Sequence, residues 1–191
     1  MTDLSDGVLL DRYRKRGDVG SLEILVNRYR RRLFGFILNM TEGRDDADEI
    51  FQEVWLRVIK KVGGYEHRQS FLGWLVRIAR NVVIDKWRKQ AKLVSMEQAA
   101  DANIVSEMFV DRQPDPASRA ASKELGRQIA AAIASLPTEQ KEVVVMRVRS
   151  NLSFREIAQA QGVSINTALA RMQYGLTKLR RVLKSTRYED T

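Results

Sequence analysis

Apolar residues recur at steps of three and four along most of the chain, and this spacing predicts amphipathic α-helices. The short alternating segments and regular turn signals that would indicate a β-fold are not found. In the first half the pattern predicts three helices: from about Ser21 to Met40, with Asp18 or Ser21 as the N-cap; from Asp45 or Asp46 to a stop at Gly63 and Gly64; and from about Phe71 to Lys89.

The second half continues the helical pattern. An apolar stripe ends at Leu136 and Pro137, and Thr138 is predicted to cap the helix that follows. The stripe consists of Leu125, Ile129, Ile133 and Leu136, and the next helix is filled by Val143, Val144, Met146 and Val148.

The clearest local motif begins at Ser153, which is predicted to cap a short helix, with Glu156 completing a capping box. Gly162 suits the left-handed turn that ends this helix, and Ser164 is predicted to cap a long second helix. This arrangement, with a basic tail, is typical of a helix-turn-helix whose second helix enters the DNA major groove. The inward face of the long helix is predicted to be Ala168, Met172, Leu176, Leu179 and Leu183, with Leu169 partly buried.

Charge divides the chain into three blocks. The whole sequence has 33 Lys and Arg against 24 Asp and Glu, a net charge of +9 that points to a polyanionic partner. Residues 1–92 carry +6, residues 93–117 carry −4, and residues 118–191 carry +7. We therefore predict an all-α protein of two small helical domains, 1–92 and 118–191, joined by an acidic flexible linker, 93–117. We expect this linker to act as a spacer between the domains. The alternative is that its acidic residues lie in a basic channel elsewhere.

Two helical faces could contact nucleic acid. On the third helix, basic residues and Asn81 suit phosphate contacts beside base stacking, although a solvated face over a core helix gives the same pattern. Phe71 and Trp74 are more typical of core than of stacking platforms. The candidates are Arg77, Arg80, Asn81, Arg88 and Lys89 on the third helix, and Ser164, Asn166, Thr167, Ala170, Arg171, Gln173, Tyr174 and Lys178 on the last.

The second helix is acidic at its start and basic at its end. Asp48, Glu49, Gln52 and Glu53 precede Arg57, Lys60 and Lys61. This order suits the helix dipole, which by itself would explain the pattern without any binding function.

Several classes of function are disfavoured. The chain has no Cys and a single His, His67, which is predicted to be a surface residue rather than a ligand, so we expect no metal and no cofactor. The sequence contains neither a glycine-rich phosphate loop nor a nucleophile motif, so it gives no indication of an enzyme. The acidic N-terminus and the absence of a long apolar run predict a cytoplasmic protein without signal peptide or membrane insertion.

Three segments together resemble one family. DADEIFQEVWLRVIKKV (46–62) resembles region 2.2 of bacterial sigma-70 family sigma factors, of the extracytoplasmic-function (ECF) type. FLGWLVRIARNVVIDKWRKQ (71–90) resembles regions 2.3–2.4, and LPTEQKEVVVMRVRSNLSFREIAQAQGVS (136–164) resembles region 4. The three matches are collinear, and the linker falls between them.

The resemblance implies a factor that binds core RNA polymerase and directs it to promoter DNA. It implies that Asp48, Glu49, Gln52 and Glu53 lie against the β′ clamp. It places Asn81, Asp85, Arg88 and the 63–70 loop near the non-template strand of the −10 element, and a flipped base would be held in that loop. The same predicted −10 surface includes Trp74, Arg77, Arg80 and Lys89. Region 4 would read the −35 element and touch the β flap. The resemblance also suggests a cognate anti-sigma factor as a partner.

The recognition helix departs from the family pattern. Leu169 and Ala170 stand where many members have a basic residue and then Ser, and Tyr174, Gly175 and Leu176 stand where many have Arg-Ala-Arg. Arg171 and the Thr167 position match. Each lost bidentate Arg contact weakens the reading of guanine by about 1–3 kcal/mol, so we predict a divergent −35 element, read in part through DNA shape.

Two rival functions remain open on the residues alone. A sigma-like decoy would bind an anti-sigma factor without touching DNA, but the basic tail from Lys178 to Arg187 disfavours it. A conventional helix-turn-helix repressor would not explain the matches at 46–62 and 71–90.

Overall fold

The computed structural model describes residues 4–65, 70–94 and 116–189, with side chains at 4–65, 70–91 and 125–184. Over these ranges the regular structure is entirely helical, which confirms the predicted fold class. His67 and most of the predicted linker lie outside the described residues. The helices are α1 (Asp6–Arg16), α2 (Val19–Met40), α3 (Arg44–Lys61), a 3₁₀ turn (Val62–Gly64), α4 (Phe71–Val94), α5 (Pro116–Ala134), α6 (Thr138–Val148), α7 (Phe154–Gln161) and α8 (Ile165–Glu189).

The long helices of the first half bury the stripes that the sequence pattern predicts. Leu25, Leu33 and Phe36 of α2 are completely buried. Each such side chain contributes about 1.5–3 kcal/mol by leaving water. The side chain of Asp18 accepts a hydrogen bond from the Ser21 backbone N–H at 3.3 Å, so Asp18, and not Ser21, is the N-cap of α2.

Helix α1 was not predicted from the sequence. Its Leu9 and Leu10 are fully buried against the bundle. Its first residue, Asp6, accepts a hydrogen bond from the Arg28 guanidinium at 2.6 Å and another from the Tyr29 hydroxyl. These contacts attach α1 to α2, and Gly17, at a positive φ of 65°, makes the turn between the two helices.

The second half corrects three details of the sequence prediction. Helix α5 begins at Pro116, inside the predicted linker, because proline is well tolerated in the first turn of a helix. Leu125 is 55% exposed and does not belong to the buried stripe. Pro137 occupies the N-cap position of α6 without a side-chain bond, and Thr138 is the first helical residue.

The helix-turn-helix of α7 and α8 forms as predicted. Ser153 and Glu156 make a reciprocal capping box, and Gly162 has a left-handed φ of 69°. Ser164 Oγ accepts a hydrogen bond from the Thr167 N–H at 3.0 Å and caps α8.

The inward face of α8 differs from the prediction at two positions. Leu169, predicted to be partly buried, is 43% exposed and lies on the outward side. Leu176 is 38% exposed, and Gly175 is buried in its place. A Cβ on Gly175 would lie 3.1 Å from Val144 Cγ2, so the missing side chain is what allows α8 to approach α6 closely.

The two halves pack against each other through α4 with α7 and α2 with α6. The hydrophobic core is continuous across this contact. Two polar contacts add to it: the Ser70 hydroxyl donates to the Glu156 carboxylate, and Ser150 Oγ donates to the Arg32 carbonyl at 3.3 Å. Burial disfavours the charged form of Glu156, but its hydrogen bonds to Ser153 and Ser70 outweigh this effect and lower its pKa.

Candidate functional site

The acidic face of α3 is tied to α4 by ion pairs. Lys86 Nζ donates to Asp46 Oδ1 at 2.8 Å and to Glu49 Oε2 at 2.7 Å. Burial lowers the pKa of Lys86, but these two hydrogen bonds outweigh it and raise the pKa above its ordinary value. Asp48, by contrast, is an exposed carboxylate whose ion-pair partner on its own helix, Arg44, is 3.8 Å away.

A second ion-pair group lies further along the same two helices. Arg57 donates to Glu53 Oε1 at 2.8 Å and to Asp85 Oδ2 at 3.1 Å. The hydrogen bond to Glu53 is the main cause of the raised pKa of Arg57. The structure therefore places Asp85 beside the predicted core-binding residue Glu53.

The α3/α4 groove lies between these helices and has a volume of about 530 Å³. Leu56, which is 53% exposed, forms part of its apolar lining. Its charged lining is balanced, with the carboxylates of Glu49, Glu53 and Asp85 against the cations of Arg57, Lys86 and Lys89. The groove thus offers both charged groups and an exposed apolar side chain to a protein helix. Its polar lining includes Glu49, Gln52, Glu53, Asp85, Lys86 and Lys89.

A different face of α4 carries most of the predicted −10 residues. Arg77, Asn81 and Arg88 follow one another at helical spacing, and all three are exposed. Trp74 begins this face and is half-buried. The structure therefore brings together four of the predicted residues, while Lys89, also exposed, lines the α3/α4 groove.

Aromatic side chains support both ends of the predicted 63–70 loop. The rings of Tyr65 and Trp74 lie 5.0 Å apart, and each lies within 6 Å of the Phe71 ring, at 5.6 and 5.7 Å. Phe71 is buried and belongs to the core. Arg14 of α1 donates to the Gly63 carbonyl at 2.7 Å and to the Tyr65 carbonyl at 3.4 Å, so α1 fixes residues 63–65, the first part of this predicted loop.

Arg80 is separated from the other predicted −10 residues and faces the second half of the chain. Its Nε donates to Glu142 Oε2 at 2.9 Å, and Glu142 is only 1% exposed. The same oxygen accepts a hydrogen bond from Gln161 Nε2 at 2.6 Å. Gln161 Oε1 in turn accepts from the Arg171 guanidinium at 3.0 Å. A polar chain therefore runs from α4 to the recognition helix α8.

The outward side of α8 carries the remaining predicted residues. Asn166, Ala170, Gln173 and Tyr174 are exposed, whereas Arg171 is half-buried. Ser164 and Thr167 form the N-terminal cap, and their hydroxyl oxygens lie 2.8 Å apart. Lys178 Nζ donates to the Ser135 carbonyl at 2.9 Å.

The sequence interpretation missed three residues that organise these surfaces. Arg14 lies on the unpredicted helix α1, and Glu142 and Gln161 are polar residues buried between helices. A glutamate directly before the apolar run 143–146 was the one available signal, because a carboxylate next to buried residues needs a partner.

Comparison with known proteins assigns both halves of the chain. Residues 25–93 match the family model described as Sigma-70 region 2, and residues 126–179 match Sigma-70, region 4. The chain is 28% identical over 169 residues to the ECF RNA polymerase sigma factor SigX of Bacillus subtilis, covering 88% of this chain and 87% of SigX. It is 29% identical over 174 residues to the RNA polymerase sigma factor CarQ of Myxococcus xanthus, covering 91% and 95%.

Two solved structures share the fold. The sigma factor RpoE of Bartonella quintana, solved in complex with the anti-sigma factor NepR, aligns with a TM-score of 0.73 at 18% identity, over 85% of this chain and 96% of that one. CnrH, solved in complex with the cytosolic domain of CnrY, aligns with a TM-score of 0.70 at 22% identity, over 94% and 97%.

These findings define a helical transcription initiation factor and not an enzyme. The chain belongs to the sigma-70 family of RNA polymerase sigma factors, and relatives such as SigX and SigW of Bacillus subtilis are named ECF sigma factors. In the part of the chain that the structure describes, none of the helices could cross a membrane.

Proposed function

We propose that this chain is an ECF sigma factor that binds core RNA polymerase through its first half and recognises promoters with both halves. In this proposal residues 1–92 bind core enzyme and open the −10 element, residues 93–117 connect the halves, and residues 118–191 read the −35 element. The observation that carries the proposal is that both sigma regions occur in order in one chain, while the groove and both predicted DNA faces keep exposed side chains.

The α3/α4 groove is the proposed binding site for the β′ clamp. Glu49, Gln52 and Glu53 supply hydrogen-bond acceptors and negative charge along one edge, and Leu56 supplies an apolar contact. Asp48 is exposed on the side of α3 that faces α2, outside the groove, and would extend the contact there. Because Glu49 and Glu53 are already held by Lys86 and Arg57, their carboxylates are fixed before the partner arrives. Such preorganisation lowers the entropy cost of binding.

The exposed face of α4 is the proposed −10 surface. Arg77, Asn81 and Arg88 are placed to contact the phosphates and base edges of the non-template strand, and Trp74 lies at the start of this face beside Tyr65. Strand opening uses binding energy alone, because unstacking a base costs a few kcal/mol that pocket contacts can offset.

The proposed setting is the bacterial cytoplasm, where promoter DNA and core polymerase are present. The β flap is the proposed contact of region 4 on the polymerase. A cognate anti-sigma factor is a further proposed partner, and it is supported by the fold shared with two sigma factors solved in complexes of this kind.

Co-elution with core RNA polymerase tests the proposal. The full chain is mixed with core enzyme and separated by gel filtration. The expected result is a stoichiometric complex that survives moderate salt. A conventional repressor would elute alone, and this outcome would contradict the proposal.

Arg14→Ala is expected to impair promoter opening more than core binding. The substitution removes the two hydrogen bonds to the Gly63 and Tyr65 carbonyls, each worth about 0.5–1.5 kcal/mol, and frees residues 63–65, the first part of the predicted loop. Permanganate reactivity of unpaired thymines in the −10 region measures opening. Arg16→Ala, an exposed change on the same helix, is the control, and equal reactivity of the two variants would refute the assigned role.

A further inference from the structure

The outward face of the recognition helix is formed by amide and apolar side chains. Asn166, Ala170 and Gln173 follow at steps of four and three, and therefore lie in one row along α8. All three are exposed. Two larger side chains flank the row: Leu169, which is 43% exposed, and Tyr174, which is 66% exposed.

The positive charge nearest this row is held on another side of the helix. Arg171 is the only Lys or Arg between Ser164 and Thr177. Its guanidinium donates to Gln161 Oε1, and the amide nitrogen of the same Gln161 donates to the buried Glu142 carboxylate. Gln161 is only 8% exposed, so Arg171 is bonded into a buried polar chain instead of extending from the outward row.

The next cation along α8 is also bonded to the protein. Lys178 Nζ donates to the Ser135 carbonyl at 2.9 Å, at the end of α5. The first three turns of α8, which enter the groove in a helix-turn-helix, therefore present no cationic side chain on their outward row.

The chemistry of the base edges indicates which DNA sequences this row of side chains can recognise. Guanine is read chiefly by Arg or Lys at O6 and N7, adenine by Asn or Gln at N6 and N7, and the thymine methyl group by apolar contact. We propose that α8 reads an A·T-rich −35 element directly, with Asn166 and Gln173 on adenines and Leu169 and Ala170 on thymine methyl groups. This inference rests on the proposed function, because it assumes that α8 enters the −35 major groove.

Selection with the holoenzyme tests which bases are read. The full chain with core polymerase is incubated with duplexes that are randomised at the −35 region. Their −10 element is first obtained by the same kind of selection. The expected result is enrichment of adjacent A·T pairs. A guanine-rich element would overturn the inference while leaving the sigma-factor function standing. If the holoenzyme enriched no sequence more strongly than core enzyme alone does, the proposed function itself would fail.

Modified bases then separate direct reading from shape. Deoxyuridine in place of thymidine removes only the C5-methyl group and is expected to weaken binding about fourfold per contacted methyl. 7-Deazaadenine removes the N7 acceptor and is expected to weaken binding at the positions read by Asn166 and Gln173. An A·T-rich element that tolerates both changes would overturn direct reading and assign its selection to DNA shape.

Variants of the helix supply the matched comparison. Asn166→Ala and Gln173→Ala are each expected to reduce the preference for adenine at one position by about 5- to 150-fold. Lys184→Ala, at an exposed cation further along α8, is the control and is expected to weaken all duplexes equally. Equal weakening of all duplexes by the two amide variants would contradict the inference.

Discussion

Arg80→Ala is expected to lower the free energy of unfolding by about 3–5 kcal/mol, because it leaves a buried carboxylate without its cationic partner. Glu142 is 1% exposed, and the Arg80 side chain is 19% exposed. After the substitution, Glu142 keeps only the hydrogen bond from Gln161. Urea denaturation, monitored by tryptophan fluorescence and far-UV circular dichroism, measures the loss.

The double variant Arg80→Met/Glu142→Leu is the control for this prediction. Replacing both charged groups with apolar side chains of similar size removes the desolvation cost along with the attraction, so most of the lost stability should return. A loss below about 1 kcal/mol for Arg80→Ala would show that water already reaches Glu142, and would contradict the buried pair.

The same pair separates two roles of Arg80 in promoter opening. If Arg80 acts only through Glu142, the double variant should open promoters as well as the original chain does. If Arg80 instead contacts the −10 DNA directly, the double variant should be stable but defective in promoter opening. The single variant Glu142→Leu, which retains Arg80, should then keep the DNA contact.

Reversing the charge at Asp48 and Glu49 is expected to weaken core-polymerase binding by about tenfold or more. Like charges placed across an interface cost up to several kcal/mol. The fold should persist, because the two side chains are 52% and 72% exposed and Lys86 keeps its hydrogen bond to Asp46. Fluorescence anisotropy of labelled protein with core enzyme measures the dissociation constant at fixed ionic strength.

Glu23→Lys is the control for this change in charge. Glu23 is an exposed acid on α2, outside the α3/α4 groove, so its reversal should leave core affinity nearly unchanged. Equal affinity of the Asp48→Lys/Glu49→Lys variant and the original chain, with both folded, would remove this acidic face of α3 from the proposed core-binding site.

Local sequence signals predicted much of this fold. The capping box of Ser153 and Glu156 and the turn at Gly162 follow from backbone preferences that act within a few residues. The helices α2, α3 and α4 bury long apolar stripes, which periodicity detects. Helix α1 was missed because only Leu9 and Leu10 of its short, charged sequence are buried, which is too little to make a periodic stripe.

Contacts between distant segments could not be predicted in the same way. Arg80 and Glu142 are 62 positions apart, and their pairing depends on how the two halves pack. The exposure of Leu176 depends on the close approach of α8 to α6 at Gly175, so a residue with the correct period was assigned to the core in error. Both the pairing of Arg80 with Glu142 and the exposure of Leu176 depend on tertiary packing, which local sequence patterns do not contain.

Run-off transcription tests the central claim most directly. Purified core polymerase, with and without this chain, is given a library of random promoter-length duplexes. The account predicts transcripts that appear only with the chain and that share a −10 element and an A·T-rich −35 element. Absence of such transcripts would contradict promoter-directed initiation by this chain. Absence of core binding as well would favour a decoy that binds an anti-sigma factor.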